Sequence, residues 1–477
     1  MDIFFIPTYK INMADELFFD SDQAKDILDK IMVVFEKAEV DYGDARFNQG
    51  FTSSISKDKE EENVNYGHGY GFHLRVFKEG EWRVTGVTSM ETNKILEAAK
   101  KLATFIPTEK PYTLEEQPPW KIDRRVKIQH EKSFEERLKW IRDCFNVLKN
   151  FNPKIVDATC SMVSSLTEKI FANTEGSRLR ERTPRSRAVF FALAKEGSNI
   201  QQDYYSVGKI DTFDVSENIN IEEVSMKICT NAINLLKAKQ PPSGKFPVVL
   251  DGDMAGLIAH ESFGHGTEAD QVLRNRSFLK PYFGEKVAED FVTLCDSGNV
   301  GVEHGTFLFD DEGTKSRRNA LVDHGIFKSW LHSRETASVL GMPLTGNGRA
   351  QDYARRVHVR MTNTYFDPGE WEVEELFNGI KYGVYLARGS HGMEDPEGGG
   401  IQVSSNMGWL IENGKKTQFL RGMTLTGRLL EVLKNIDAVA KDFELRPGSC
   451  GKGYEDFVSV TTGGPHIRIK EAIVSGG

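Results

Sequence analysis

One segment of the 477-residue chain concentrates groups able to do chemistry: FPVVLDGDMAGLIAHESFGHGTEAD, residues 246–270. Phe246 to Leu250 reads as a buried strand and Met254 to Phe263 as a helix, with Asp251 or Asp253 placed to cap its first turn. At the helix end stand His260, Glu261 and His265, spaced H-E-x-x-x-H. Neutral imidazole is a good zinc ligand, and a catalytic zinc takes three protein ligands and keeps one position open. A glutamate beside the first histidine can accept a proton from the metal-bound water, which then attacks a carbonyl. The familiar zinc-peptidase spacing is H-E-x-x-H, which keeps both histidines on one helix face. Five residues instead turn about 140° on an ideal helix, so a regular helix cannot aim both rings at one ion. The second histidine is therefore expected after a break or bulge, which Gly264 and Gly266 permit. Two ordinary histidines near a helix end are the bland alternative.

A third ligand has to come from another His, Asp, Glu or Cys. The five cysteines, Cys144, Cys160, Cys229, Cys295 and Cys450, are odd in number and form no CxxC pair. That points away from a disulfide framework and toward a ligand or nucleophile for any special one. Cys144 and Cys229 lie in helix patterns, Cys160 and Cys295 in strand patterns, and all four read as core. Cys450 lies in RPGSCGKG, flanked by Ser449 and Gly451, and has little reason to be core. Glu268 and Asp270 either orient an imidazole from behind or are surface residues where the chain leaves the helix. Two imidazoles and one thiolate suit zinc, with iron and nickel as the alternatives.

The elements that must position these groups are legible in outline. Residues 21–38 put Ala24, Ile27, Leu28, Ile31 and Phe35 on one helical face behind Ser21 as N-cap, and 92–103 repeat the pattern. GYGFHLRVFKEGEWRVTGV (69–87) is strand-turn-strand about Glu79-Gly80. Residues 106–122 hold four prolines and read as a linker, and Ser133-x-x-Glu136 is a capping box opening a helix. Glu175-Gly176 and Glu196-Gly197 punctuate an antiparallel meander over 154–210, and 222–237 is helical. QPPSGK (240–245) is the expected boundary between an amino-terminal α/β domain (1–240) and a β-rich carboxy-terminal domain (241–477) carrying the metal-site helix. Further helices are expected near 334–340, 370–380 and 424–435. The fold class is α+β.

Composition limits the function classes. Apolar residues at 39% and charged residues at 27% allow a real core. A net charge of −9 argues against a dedicated nucleic-acid binder. Arg178, Arg180 and Arg182 alternate along a strand and read as a solvated face. Asp310, Asp311 and Glu312 in FDDEG read as an acidic turn ahead of a second metal site, and His68 and His73 as structural. No apolar run approaches the roughly 20 residues of a membrane span. The start, MDIFFIPTYKIN, has too short an apolar stretch for a secretory signal, so a cytoplasmic chain is expected.

Together with the 246–270 segment, GTFLFDDEGTKSRRNALVDHGIFKSWL (305–331), NGRAQDYARRVHVRMTNTYFDPG (347–369), GGGIQV (398–403), WLIENGK (409–415) and GSCGKG (448–453) closely resemble the TldD/PmbA family. YGFHLRVFKEGEWRVTGVTS and FANTEGSRLRERTPRSR extend the resemblance into the amino-terminal half. TldD-type chains keep HExxxH and a carboxy-terminal cysteine, which TldE (PmbA) chains lack, so this sequence resembles the TldD type. The resemblance implies a zinc metallopeptidase with His260, His265 and Cys450 as ligands and Glu261 as general base. It also implies an amino-terminal α/β domain, a β-rich domain holding the metal, and a dimer, either with a TldE-type partner or with itself. The stretch ARGSHGMEDPEGGG (387–400) departs from the family by its length. The family's older label, modulator of DNA gyrase, supplies the alternative of a non-catalytic interaction or regulatory subunit.

The substrate expected is a peptide or an unfolded polypeptide. GGGIQVSSN (398–406) joins a glycine run to an alternating strand pattern, and Gly399, Gly400, Ile401 and Val403 are the expected contacts. An edge strand there would pair with an extended chain through main-chain hydrogen bonds. A flexible surface loop is the bland reading of the same residues.

Overall fold

The computed structural model describes residues 18–108, 112–128, 132–452 and 456–476. The segment 1–17, on which the expectation about a leader rests, lies outside the described residues. Among the described residues the chain has an α+β fold.

The amino-terminal half builds one sheet from β1 (Tyr42–Lys57), β2 (Glu62–Lys78), β3 (Glu81–Val87), β4 (Lys121–Arg125), β5 (Ile155–Asn173), β6 (Arg178–Glu196) and β7 (Asn199–Ile210). The order is β3-β2-β1-β5-β6-β4, with β7 also on β6, and every pair is antiparallel except β4 with β6. The Glu-Gly turns work as expected: Glu79 and Gly80 both have positive φ, 48° and 81°, as a tight hairpin requires. Four helices, α1 (Ser21–Lys37), α2 (Thr92–Ala103), α3 (Phe134–Lys149) and α4 (Ile221–Leu235), cover one face. Their apolar stripes, such as Ile27, Ile31 and Phe35 on Phe47 and Leu74, explain that choice, since each such side chain gains about 1.5–3 kcal/mol on burial. The cap of α1 is Asp20, one residue ahead of Ser21, whose hydroxyl instead donates to Glu168 at 2.7 Å.

The other face of this sheet is polar and meets the carboxy-terminal half. Arg46 and Lys169 reach Asp311 at 3.1 and 3.2 Å, and Arg75 reaches Glu312 at 2.6 Å. FDDEG is thus a turn, but a buried one at the seam between the halves. The arginine stripe is likewise no solvated face: Arg180 is 4% exposed and pairs with the fully buried Glu168. Its partners lie on α1 and on a neighbouring strand, which sequence alternation alone does not disclose.

The carboxy-terminal half supplies β8 (Gly244–Leu250), β9 (Leu294–Ser297), β10 (Arg318–Asp323), β11 (Ile326–Phe327), β12 (Gly348–Arg349), β13 (His358–Val359), β14 (Asn363–Phe366), β15 (Tyr382–Glu394), β16 (Gly400–Glu412), β17 (Lys415–Arg428), β18 (Ile436–Val439), β19 (Glu444–Lys452), β20 (Asp456–Gly464) and β21 (Ile467–Gly476). Two six-stranded sheets result, ordered β11-β10-β9-β14-β20-β19 and β17-β16-β15-β8-β21-β18, and β12 pairs with β13 apart from them. A helix that begins at Gly252 lies between them, touching β15 on one side and β14, β19 and β20 on the other. Gly256 allows this close approach, because a Cβ there would lie 2.4 Å from the backbone nitrogen of Gly463. Of the later helices expected, Arg334–Leu340 forms, Val373–Phe377 is a short 3₁₀ turn, and only Leu429–Lys434 of 424–435 is helical, because 415–428 pairs with β16 as β17. The 387–400 stretch is mostly the outer half of β15, and only its tip is a turn.

Candidate metal centre

Asp251 follows β8 directly and caps the helix, accepting from Met254 N–H at 2.9 Å. The helix is α over Gly252–Leu257 and then π over Ile258–Gly264. A π turn bonds i to i+5, and His265 N–H indeed donates to His260 C=O. Residues five apart are thereby stacked along one side, so the two imidazoles face one another with ring centroids 5.2 Å apart. The expected bulge is thus a continuous π turn, and His265 itself stays right-handed helical at φ −62°. Gly264 and Gly266 do not break the helix: neither has positive φ, and both serve close packing. A Cβ on Gly264 would lie 2.1 Å from Met361 Sδ, and one on Gly266 2.8 Å from Leu279 Cδ1.

Cys450 arrives on β19, opposite Val458 of β20. Its Sγ is 3.6 Å from His265 Nε2, and one donor atom from each of His260, His265 and Cys450 lies within 4.8 Å of the others. The other four cysteines are fully buried in the apolar cores or beside them, as their patterns implied. Burial pushes the Cys450 thiol up, but the two imidazoles, His260 foremost, overcome this and bring it down to about 4. Burial also opposes charge on His265, yet Cys450 and Glu268 raise its pKa well above the ordinary histidine value. Each group therefore favours the charged form of its neighbour.

The donor set fits a metal ion. Two imidazoles and a readily formed thiolate converge where a zinc-type ion is held by nitrogen and sulfur. Nδ1 of His260 is buried with no hydrogen-bond partner, an uncompensated cost in an apolar setting unless an ion or water meets it. Behind His265, Glu268 lies 3.6 Å from Nδ1 and is itself held by Lys452, whose Nζ donates to Glu268 and to both oxygens of Asp270 at 2.8 Å. Glu268 and Asp270 therefore support the imidazole from behind. Lys452 was missed from sequence, although it stands two residues beyond Cys450 and strand alternation puts both on one face. Arg360 was missed as well; it is 1% exposed and donates to the Cys450 carbonyl at 2.6 Å.

Glu261 is the open member of the cluster. Its side chain is 28% exposed, and Oε2 lies 3.8 Å from His265 Nε2. It faces β15, where a Cβ on Gly392 would fall 2.4 Å from Glu261 Cγ. Glu394, two residues on and so on the same side of β15, belongs to this neighbourhood; burial, then the charges of Glu268, Glu261 and Cys450 against that of His265, raise its carboxyl to about 8.

The residues expected to contact substrate sit differently. Ile401 and Val403 are 5% and 0% exposed and belong to the core. β16 is hydrogen-bonded to β15 on one side and β17 on the other, so 400–406 is no edge strand. Gly399 and Gly400 form the end of the turn, with Gly399 at φ 70° against Phe278. The free edge near Glu261 belongs to β15, which pairs with β8 only over Val384–Leu386 and beyond that has no second strand neighbour among the described residues.

The chain is similar to known proteins over most of its length. The PmbA/TldA metallopeptidase C-terminal domain matches residues 243–476, and the PmbA/TldA metallopeptidase central domain matches 128–236. A metalloprotease of Methanocaldococcus jannaschii is 35% identical over 458 residues, spanning 92% of this chain and 98% of that protein. The chain belongs to the TldD/PmbA family of metallopeptidases. Another relative, the zinc metalloprotease TldD homolog of Saccharolobus solfataricus, is 29% identical over 72% of this chain and 77% of that one. The same fold occurs in TldE from Thermococcus kodakarensis, with a TM-score of 0.75, 17% identity, and coverage of 94% of this chain and all of that one. Among the described residues no helix is long and apolar enough to cross a membrane.

Proposed function

We propose that this chain is a zinc-dependent metallopeptidase of the cytoplasm that hydrolyses peptide bonds in peptides or unfolded polypeptides. His260, His265 and Cys450 hold the metal, and Glu261 is the general base. The observation that carries the reading is the convergence of the three donor atoms within 4.8 Å, with the Glu261 carboxylate 3.8 Å from one of them. A bound zinc supplies Lewis acidity, polarising a carbonyl and making water a stronger acid. Glu261 takes the proton of the attacking water at a carboxylate oxygen and returns one to the departing amine. Glu268, anchored by Lys452, holds His265 in the tautomer that leaves Nε2 free for the ion.

The extended substrate lies along the free edge of β15, from Ser390 to Glu394, paired by main-chain hydrogen bonds that are indifferent to side-chain identity. Gly399 and Gly400 shape the turn behind that edge, and Ile401 and Val403 fix its hairpin to the core. The division into a 1–240 scaffold and a 241–477 catalytic domain, and dimerisation with a TldE-type subunit or a second copy, complete the proposal. The fold likeness to TldE supports such a pairing.

The test is zinc content and cleavage of an unstructured peptide, with and without a TldE-type partner. Wild type should hold one zinc and cleave, while Glu261→Gln should keep its zinc and lose at least about 10²-fold in rate. Full zinc without cleavage under any pairing would leave the non-catalytic regulatory reading standing.

A further inference from the structure

We propose that Arg388 is a positioning residue for the substrate edge: held in a left-handed backbone conformation from the amino-terminal sheet, it sets the bulge that carries Ser390–Glu394 across Glu261. The inference rests on the metallopeptidase reading. Arg388 has φ 62°, a conformation that a residue with a Cβ keeps only when its surroundings impose it. Three hydrogen-bonding contacts impose it, beside a longer ion pair of Nη1 with Asp253 at 3.8 Å. The Arg388 backbone N–H donates at 2.8 Å to Oδ2 of Asp251, the carboxylate whose other oxygen caps the metal-site helix. Its guanidinium donates from Nε and Nη2 to Oδ1 of Asp203 on β7, at 3.3 and 3.1 Å. Asp203 is wholly buried, and its second oxygen accepts from Asn231 of α4 at 2.9 Å. Finally, Tyr204 lies under the guanidinium and donates its hydroxyl to the carbonyl of Gly389 at 3.1 Å.

The consequence follows one residue on. The register of β15 against β16 shifts between Gly389 and His391, leaving Ser390 as an extra residue. On either side of this bulge β15 touches the metal-site helix through a glycine. A Cβ on Gly389 would meet Leu257 Cδ1 at 2.6 Å, and one on Gly392 would meet Glu261 Cγ at 2.4 Å. A slip of one residue turns every side chain to the opposite face of a strand. Without the bulge, His391 or Met393 would confront Glu261, where not even a methyl group fits. The amino-terminal sheet, through Asp203 and Tyr204, thus acts with Asp251 to set the strand that borders the general base, from a part of the chain that contributes no metal donor.

Three variants of the full-length, zinc-loaded protein test this: Asp203→Asn, Arg388→Ala and Arg388→Gly. Glycine adopts positive φ without help, so Arg388→Gly separates the backbone conformation from the guanidinium. In Asp203→Asn and Arg388→Ala, amide hydrogen exchange across Ser390–Glu394 should quicken at least about tenfold while β8 is unchanged. KM for an unstructured peptide should rise about tenfold with kcat within about threefold, since docking is lost and the base is not. Arg388→Gly should recover at least half of both effects. Unchanged exchange at 390–394 in both of the first two variants, or Arg388→Gly no better than Arg388→Ala, would overturn the proposal. Should Arg388→Ala not fold, Asp203→Asn and Arg388→Gly decide by the same readouts. Should wild type cleave nothing, the exchange data still judge the role of Arg388, and the metallopeptidase reading fails separately.

Discussion

His260, His265 and Cys450 bring one donor atom each to within 4.8 Å of one another, from positions 185 residues apart in the case of His265 and Cys450. A cysteine between Ser449 and Gly451 has no apolar pattern to belong to, whereas Cys144 falls on the buried stripe of α3. Replacing Cys450 with Ser should weaken zinc binding at least about 100-fold, while Cys144→Ser should leave zinc content intact and alter only packing; metal analysis after dialysis measures both. What sequence could not disclose is who stands behind the ligands. Lys452 links Glu268 and Asp270 across 184 and 182 residues of chain, a separation that no local pattern encodes. Lys452→Met should leave the buried Glu268 without its nearest cation and loosen His265. A fall of about 10–100-fold in zinc affinity is expected, with far-UV circular dichroism unchanged.

At the scale of elements, local signals succeeded where local chemistry decides. The Glu-Gly turns, the Ser133–Glu136 capping box and α2 fall where the residues put them, since turns and caps are satisfied within a few residues. Strand edges were not legible. Whether GGGIQV is an edge or an interior strand depends on β17 arriving beside it, and the same pairing converts the first half of 424–435 from expected helix to strand. The metal-site helix lies between these cases: the i, i+5 spacing demanded a departure from α geometry, but its form as a π turn depends on packing. Gly264 is part of that packing, pressed on the fully buried Met361. Gly264→Ala should destabilise the fold by about 1–3 kcal/mol in urea unfolding, as overpacking does, and should weaken metal binding because it disturbs the π turn that faces His260 to His265. Gly264→Ala with Met361→Ala should recover part of the metal binding lost in the single variant. No recovery would mean that the glycine matters for backbone reasons instead.

At the scale of the whole molecule, the seam between the halves is polar and holds buried histidines. His73 on β2 bonds the carbonyl of Tyr353 from the other half at 2.8 Å, while His332, inside the carboxy-terminal half, is 2% exposed with Nδ1 3.2 Å from Thr336 Oγ1. The sequence marked His73 as structural but gave no sign of its protonation, which depends on burial and on cations from distant strands. Burial, then Arg46 and Arg75, bring His73 down to about 3, and burial, then Arg317, bring His332 down to about 4. A histidine whose folded pKa lies below its unfolded value of about 6.5 is neutral in the fold and takes up a proton on unfolding. Its contribution is fully present above about 6.5 and is lost as the pH falls toward the folded value, at about 1.4 kcal/mol per pH unit. Asp310 acts in the opposite sense. Burial, then Glu312, raise its carboxyl to about 7, so its contribution is present at low pH and is lost as pH rises through that value. The wild-type curve therefore mixes both trends, and the informative quantity is a difference between two proteins. Between pH 6.5 and 4.5 the unfolding free energy of His332→Asn should fall less steeply than that of wild type, by about one proton's worth of slope. Equal slopes for the two proteins would mean that His332 takes up no extra proton on unfolding, and that its buried site tolerates the charge.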